Sequence, residues 1–508
     1  MKNKILLFIG IFIWIFALDM NYVDANNNIS YEESNKAISY IEQAFRKSNI
    51  PGISVVVINK DKSEYVNYGT KSLNVSDRID KESLFELGSN SKAFTALGIL
   101  YLEKKGQLSL DDPVNKYIPW FNIKGKNGYE DEESNMAGDI KIKHLLYHTS
   151  GIPFKTLGYI PPSKSKDALE NTTYMLTDFN LDFSPGKEFA YVSTNYDILG
   201  LLVQKTSGES FEEFMQKSIL IPLGLNNTYV LPTEITVKEN ITKGHKVGFL
   251  GVREYDAPFY RGNAPAGYFI SNAKDMERWM RIQLGIVDIP EFYKELIQKS
   301  HQPDNSVDAH GDNFYGGGWE IHTEGKYIMH GGNNPNFSSM IVLKPESKLG
   351  VCVLANINTT YTSSIASNVI NILEDKATEE VAADIFSSMD KIFTTVSIVF
   401  FVLGALFGYL IICSIYAVIK GKRNKKKRGF VGILLTSLLT VLVILFTCGL
   451  YFLPNILLGG FPWKAVRVWT PNSLFWGIIL LPVMVVLLWL YILIVFHFPK
   501  YKEYPSRY

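Results

Sequence analysis

Three long apolar segments near the end of the chain, roughly Ile392 to Ile419, Phe430 to Leu458 and Leu474 to Phe498, exceed anything a water-soluble core needs. Each is long enough to cross a bilayer as a helix, the open-ended geometry that satisfies its own backbone in lipid. Between the first two stands Lys420-Gly421-Lys422-Arg423-Asn424-Lys425-Lys426-Lys427-Arg428, whose cations mark a cytoplasmic loop, whereas the loop between the second and third carries only Lys464 and Arg467. The chain ahead of Lys391 is then expected outside the cell and the C-terminus in the cytoplasm. The N-terminus agrees independently. Met1 to Ala25 begins with Lys2 and Lys4, continues through the apolar Ile5 to Ala17 and ends in Val23-Asp24-Ala25, the pattern of a cleaved export signal, with an uncleaved anchor as the alternative.

Formal charge is uneven along the chain. From Lys391 onward there are thirteen Lys and Arg against Glu503 alone, about +12, so the rest carries about −11 to reach the total of +1. An acidic exported domain is a poor partner for nucleic acid. The basic loop suffices as a topology determinant, with an anionic-lipid contact as the alternative, and the three apolar segments make the lipid bilayer an expected partner. Cys413 and Cys448 fall in the apolar segments and Cys352 in the run Leu349 to Ala355, so the outer domain has no cysteine pair and must rest on its hydrophobic core.

Within that domain, Ser89-Asn90-Ser91-Lys92 leads into the apolar run from Ala93 to Leu102. If the run is a buried helix, Ser89 and Lys92 lie on one face, and an amine one turn from a hydroxyl is the arrangement of an activated serine nucleophile. Ser-x-x-Lys occurs five times, at Ser89, Ser163, Ser184, Ser271 and Ser388. Ser163 lies in a polar loop, and Pro185-Gly186 breaks any helix after Ser184. Ser388 borders a membrane segment, and Ser271 reads as the N-cap of an amphipathic surface helix. Only Ser89 heads a helix apolar enough to be the centre of a domain.

Lys36 to Ser48 reads as a helix, and Ile53 to Asn59 with Glu64 to Tyr68 as a β-hairpin. Strand signals return only at Gly316 to His322, Lys326 to His330, Ser338 to Leu343 and Leu349 to Asn356, before a helix from about Thr362 to Asp375. The economical fold is α+β: one antiparallel sheet built from both ends of the domain, flanked by helices, with a helical insertion and a cleft between them. The three glycines between Tyr315 and Trp319 read as a strand bulge.

Three further motifs converge on the Ser89 helix: Tyr191-Val192-Ser193 ahead of an apolar helix, His330-Gly331-Gly332 at the end of a strand, and Leu145-Leu146-Tyr147-His148-Thr149-Ser150-Gly151. Together with Gly106-Gln107-Leu108-Ser109-Leu110-Asp111-Asp112-Pro113-Val114, Tyr117, Pro119 and Pro222-Leu223-Gly224-Leu225, they make the chain from about Ser34 to Asp375 resemble the serine hydrolases of the class C β-lactamase type. That family also holds low-molecular-weight penicillin-binding proteins, D-amino-acid peptidases and esterases. The resemblance implies a β-lactamase/DD-peptidase-like fold over residues 34–375, followed by a juxtamembrane segment, 376–391, and the membrane region, 392–508.

By the same resemblance Ser89 is the nucleophile, Lys92 the group that shares or takes its proton, and Tyr191 a partner base whose anion the lysine stabilises. The backbone N–H groups of Ser89 and Asn333 form the oxyanion hole, and Ser193, His330, Gly331 and Gly332 line the substrate. Metal and organic cofactor are not expected. Two departures bear on substrate. Ser193 stands where the family often has an asparagine that binds a substrate carbonyl, with Asn195 or a water left to substitute, and His330 replaces a lysine, removing a permanent cation for a substrate carboxylate. Both argue against an efficient β-lactamase and toward a peptidase or esterase acting on a small peptide, amide or ester, a cell-wall peptide included.

Other chemistries are weaker. His144 and His148 are four apart, but leucine follows His144, so the glutamate of His-Glu-x-x-His is missing and no third zinc ligand stands at a telling spacing. No Gly-x-Ser-x-Gly of an α/β-hydrolase is present. The competitor of another class is a catalytically silent, membrane-tethered sensor or binding module, which would have no chemical reason to retain Ser89, Lys92, Tyr191 and His330 together.

Overall fold

The computed structural model of the protein describes residues 31–124, 140–231, 240–457 and 459–500; the expected export signal, Met1 to Ala25, lies outside them. The chain separates into two compact units. The larger comprises the described residues up to Lys246 and from Val252 to Ile385, and the smaller holds Val247–Gly251 and the chain from Phe386 onward.

The larger unit is built on one sheet whose strands come from both ends of the domain, as the strand signals imply. In chain order they are β1 (Gly52–Asn59), β2 (Lys62–Ser72), β3 (Val75–Arg78), β4 (Asn313–Tyr315), β5 (Glu320–His322), β6 (Ile328–Asn334), β7 (Phe337–Lys344) and β8 (Leu349–Ala355). Their order across the sheet is β3-β2-β1-β8-β7-β6-β5-β4, every pair antiparallel. The central strands β1, β7 and β8 are buried along almost their whole length, which requires both faces of the sheet to be covered and accounts for their near-continuous apolar runs. Helices α1 (Tyr31–Lys47) and α5 (Tyr361–Leu373) pack together, α5 lying against β7 and β8.

The opposite face carries α2 (Ser91–Lys104), α3 (Thr194–Ser207) and α4 (Ala273–Gln283). Helix α2 is buried on all sides through its first ten residues, so no polar stripe is needed and none is present. Phe94 is held between Phe269 and Trp279, with ring centroids 5.1 and 4.2 Å away, and the Thr95 hydroxyl donates to the carbonyl of Pro265 at 2.7 Å.

Two local expectations are corrected. The stretch Gly316-Gly317-Gly318-Trp319 is not a bulge but the turn of the β4–β5 hairpin, whose register pairs Tyr315 with Glu320. Its glycine content serves close approach: Gly318 has φ +81°, and a Cβ there would lie 2.5 Å from the Cα of Ala93, so the turn seats directly on the head of α2. Ser271 does not cap α4. It ends a short strand and meets the Thr228 hydroxyl at 2.8 Å, while Asn272 is the cap, its side chain accepting from the N–H of Asp275 at 2.9 Å.

The smaller unit contains three helices long and apolar enough to cross a membrane, α6 (Ile385–Ile419), α7 (Phe430–Tyr451) and α8 (Asn472–His497). Helix α6 starts at Ile385, ahead of the expected Ile392, because the polar residues before the apolar run continue the helix. In that added stretch Asp390 is buried and accepts from the hydroxyl of Ser473, at the start of α8, at 2.5 Å. Helix α7 ends at Tyr451, short of Leu458, and a separate short helix, Leu453–Leu457, follows.

Candidate active site

Ser89 lies in a single 3₁₀ turn, Gly88–Asn90, that runs straight into α2, so the hydroxyl stands at the head of the helix and Lys92 in its first turn. Three contacts fix this turn, two to β7 of the large sheet and one to the short strand Phe269–Ser271. The Ser339 hydroxyl, on β7, donates to the carbonyl of Leu87 at 2.6 Å and accepts from the Asn90 amide at 2.8 Å, and the Ser91 hydroxyl accepts from the N–H of Phe269 at 3.0 Å. Gly88 makes the approach possible, since it has φ +53° and a Cβ there would lie 2.5 Å from the backbone nitrogen of Asn333. The segment carrying Ser89 therefore abuts β6 at Gly332-Asn333, the stretch from which the second oxyanion donor is expected.

Lys92 is fully buried, and its Nζ lies 2.9 Å from Ser89 Oγ, 2.9 Å from the carbonyl oxygen of Ala266 and 3.4 Å from Ser193 Oγ. Burial lowers the amine to about 7, against a smaller opposing pull from Asp197. That pull is weak because Asp197 is itself buried on α3, and desolvation lifts its carboxyl well above the usual range although the Asn263 amide donates to it at 2.8 Å. Lysine and hydroxyl thus meet with the amine close to neutrality.

The Tyr191 ring lies with its centroid 5.0 Å from Lys92 Nζ, yet its phenol is shifted opposite to the expectation of a stabilised anion. Burial pushes it above its ordinary value; nearby Ser89 and Ser193 ease ionisation without offsetting the burial, and the hydroxyl closes no hydrogen bond of ordinary geometry among the described residues. A neutral phenol close to the nucleophile is suited to giving a proton.

His330 on β6 is 3 % exposed. Its Nδ1 faces the carbonyl of Gly331 at 2.7 Å and must donate there, which leaves Nε2 to accept from the Tyr315 hydroxyl at 3.0 Å. Burial, with repulsion from Lys92, lowers this imidazole to about 3, so it is neutral. It supplies no cation where the family often has a lysine. Asn195 does not fill the place left by Ser193 either: it is fully buried, its oxygen accepting from Ser150 at 2.8 Å and its nitrogen 3.2 Å from Nδ1 of His148.

Sequence reasoning placed His148 in a motif without a role. It lies under the site, its ring centroid 4.4 Å from that of Tyr191 and 4.6 Å from that of Tyr315, and its Nδ1 accepts from the N–H of Val192 at 3.2 Å. His144 instead closes the start of the helix Ile142–Leu146, its Nδ1 accepting from the N–H of Lys141 at 3.1 Å. Two further participants, the Ala266 carbonyl and Tyr315, had no sequence signal.

The family model described as Beta-lactamase matches residues 37–372. The chain belongs to the β-lactamase family. It is a family of serine hydrolases, and its fold, an antiparallel sheet with flanking helices, is the one described above. Among similar proteins, Protein flp of Staphylococcus aureus strain N315 is 30% identical over 442 residues, covering 85% of this chain and 84% of that protein. A Beta-lactamase of Yersinia enterocolitica is 24% identical over 354 residues, covering 61% of this chain and 84% of the other. The solved structure of the octameric penicillin-binding protein homologue from Pyrococcus abyssi superposes with a TM-score of 0.59 at 26% identity, over 71% of this chain and 81% of that one. The likeness to flp covers too much of the chain to fit within residues 37–372, so it runs past the β-lactamase-family part into the apolar helices.

Proposed function

We propose that this protein is a membrane-anchored serine hydrolase that acts outside the cytoplasm, through an acyl-enzyme on Ser89, on a small peptide, amide or ester. The observation that carries the reading is the 2.9 Å approach of a fully buried Lys92 amine to the Ser89 hydroxyl. A neutral amine has two hydrogens and one lone pair. With the Ala266 carbonyl and Ser193 Oγ available to accept the hydrogens, the lone pair is left for the Ser89 proton.

In acylation Lys92 takes that proton as Ser89 Oγ attacks the substrate carbonyl, and the backbone N–H groups of Ser89 and Asn333 receive the developing oxyanion. Collapse of the tetrahedral intermediate expels the amine or alcohol, which leaves with a proton from the Tyr191 phenol, itself reprotonated from the Lys92 ammonium. Water then repeats the sequence on the ester: Lys92 takes its proton, the acid is released, and Ser89 recovers its hydrogen. Every step uses groups of this chain, and proton transfers balance over the cycle. Neutral His330 and the short Ser193 favour substrates without a carboxylate beside the scissile bond. The cations of Lys420 to Arg428 support a topology with the hydrolase unit outside and the C-terminus in the cytoplasm.

The test is active-site labelling of the full chain in detergent with a fluorophosphonate and a fluorescent penicillin. An adduct on Ser89 that vanishes in Ser89→Ala is the expected outcome, and turnover on peptide, amide, ester and β-lactam panels then ranks substrates. No adduct with either reagent overturns the reading in favour of a silent binding module.

A further inference from the structure

The sequence Gly248-Phe249-Leu250-Gly251 joins two short paired strands, His245–Gly248 and Gly251–Glu254, through a two-residue turn. Both central residues are left-handed, Phe249 at φ +54° and Leu250 at φ +60°. Positive φ at both positions is the mark of a type I′ turn, which Asn-Gly ordinarily fills because residues with larger side chains are strained there. Here the two residues are large and apolar, and both face outward: Phe249 is 38 % exposed and Leu250 68 %. Such a turn needs one partner to hold its backbone and another to cover its side chains.

The backbone is held by Asp390. Its two carboxylate oxygens accept from the N–H of Phe249 at 2.8 Å and from that of Leu250 at 2.7 Å, a contact across 140 positions of chain. The carboxylate is buried and is fixed in turn by the Ser473 hydroxyl. Val247–Gly251 and Asp390 belong to the same compact unit as the apolar helices. Along α6, Asp390 lies two positions, about 3 Å, ahead of Ile392, the exposed first residue of the apolar run. The turn is thus pinned at the level where α6 becomes lipid-facing. We infer that Phe249 and Leu250 insert into the interfacial layer of the leaflet that meets the start of α6, a membrane contact additional to the spans. The inference rests on reading α6 as a membrane helix. The clamp suits insertion, because N–H groups carried out of water need acceptors and Asp390 supplies one to each. An aromatic and an aliphatic side chain gain from leaving water at this depth, and the exposed Lys391 beside the clamp can direct its ammonium to the lipid phosphates.

The test uses the full chain in vesicles of phosphatidylcholine and phosphatidylglycerol, with Cys413→Ser and Cys448→Ser so that only an introduced thiol reacts, Cys352 being buried. Bimane is attached at Leu250→Cys or, as a reference, at Val402→Cys. Val402 is an exposed α6 position about 15 Å beyond Ile392, near the middle of a bilayer core of about 30 Å. The lipid carries a nitroxide either high on its acyl chain or near the chain end. The Leu250 label is expected to lose about twofold more emission to the shallow nitroxide than to the deep one, and the Val402 label the reverse. Asp390→Ala should return the Leu250 label to water, read as quenching by aqueous iodide, and leave the Val402 label unchanged. Because Asp390→Ala could act by misfolding, Asp390→Asn, which keeps one acceptor oxygen, is measured beside it and should have part of the effect. A Leu250 label that iodide quenches and neither nitroxide does overturns the insertion, as does a Leu250 signal indifferent to both Asp390 variants. The reference reports on α6 separately. A Val402 label in lipid with Leu250 in water removes the inserted turn alone, Leu250 in lipid with Val402 in water removes the spanning reading of α6 alone, and both labels in water remove both.

Discussion

The Nζ of Lys92 sits 2.9 Å from the carbonyl oxygen of Ala266, a backbone group 174 positions further along the chain. This contact decides which way the lysine lone pair can face. With one hydrogen committed to that carbonyl and another to Ser193 Oγ, a neutral amine has its basic electrons toward Ser89, whereas an ammonium must donate to all three oxygens. The site's protonation state and its geometry are therefore one problem.

The rate of Ser89 acylation should rise with pH through an apparent pKa of about 7 and level off above it. The folded value of Lys92 lies below the ordinary 10.5, so the basic form, scarce at pH 7 for an exposed lysine, is about half populated here. His330, lowered to about 3, is neutral throughout the range and contributes no second limb between pH 5 and 8. Fluorophosphonate labelling rates from pH 5 to 9 check this: a flat profile, or a limb that persists in Lys92→Ala labelled at high reagent concentration, contradicts it.

Lys92→Met should be inactive yet more stable than the parent. Lowering an amine from 10.5 to about 7 corresponds to an unfavourable contribution of about 5 kcal/mol at neutral pH, from which the lost hydrogen bonds remove a part, leaving a gain of about 2 kcal/mol. The sign follows from linkage: between the two values the unfolded chain holds a proton that the folded chain has released, so parent stability climbs as pH rises from about 7 toward 10.5. The advantage of Lys92→Met should shrink across the same window. Thermal unfolding of both proteins in one detergent at pH 7 and pH 9 measures it, and a less stable variant at pH 7 refutes it.

How far the sequence discloses all this depends on whether a feature is local. The strands β1, β7 and β8 are legible because they hold short apolar runs, β1 rich in valine and isoleucine and β8 in valine and leucine, and β2 only through the segment Glu64 to Tyr68 that follows β1 across a short polar turn. Ser89 with Lys92 is legible because a serine and a lysine three apart precede an unbroken apolar helix. The Ala266 carbonyl is invisible, being a backbone atom of no particular residue type. Tyr315 is hidden for a different reason: its three following glycines fit a bulge or a hairpin turn equally, and only the seating of Gly318 on Ala93 chooses between them. Ser271 and Asn272 are both good caps, and the tie is broken by tertiary contacts of Ser271 with Thr228. The direction of the Tyr191 shift needed the amount of burial, which pattern alone does not carry.

Gly88→Ala tests the close approach behind the oxyanion site. A methyl group at φ +53°, 2.5 Å from the nitrogen of Asn333, must push the Ser89 turn away from β6. The fold should survive, with a loss of about 1–2 kcal/mol. Acylation should fall about 100-fold, the scale of one lost oxyanion donor. Retained activity in a variant of normal thermal stability would mean that Asn333 does not take part.

Tyr191→Phe separates the phenol's two conceivable duties. A phenol raised by burial is a poor source of anion at neutral pH, so its service is to donate a proton to the leaving group. That service matters for an amide, whose amine leaves only when protonated, and little for an activated ester, whose nitrophenolate leaves unaided. Tyr191→Phe should therefore lower acylation by an amide about 100-fold or more while reducing that by a p-nitrophenyl ester of the same acyl group only a few-fold. If the phenol instead took the proton of Ser89, both substrates would lose rate equally, because the attack step is common to them. The ratio of the two kcat/KM values in parent and variant, measured at pH 8 where Lys92 is mostly neutral, distinguishes the two cases.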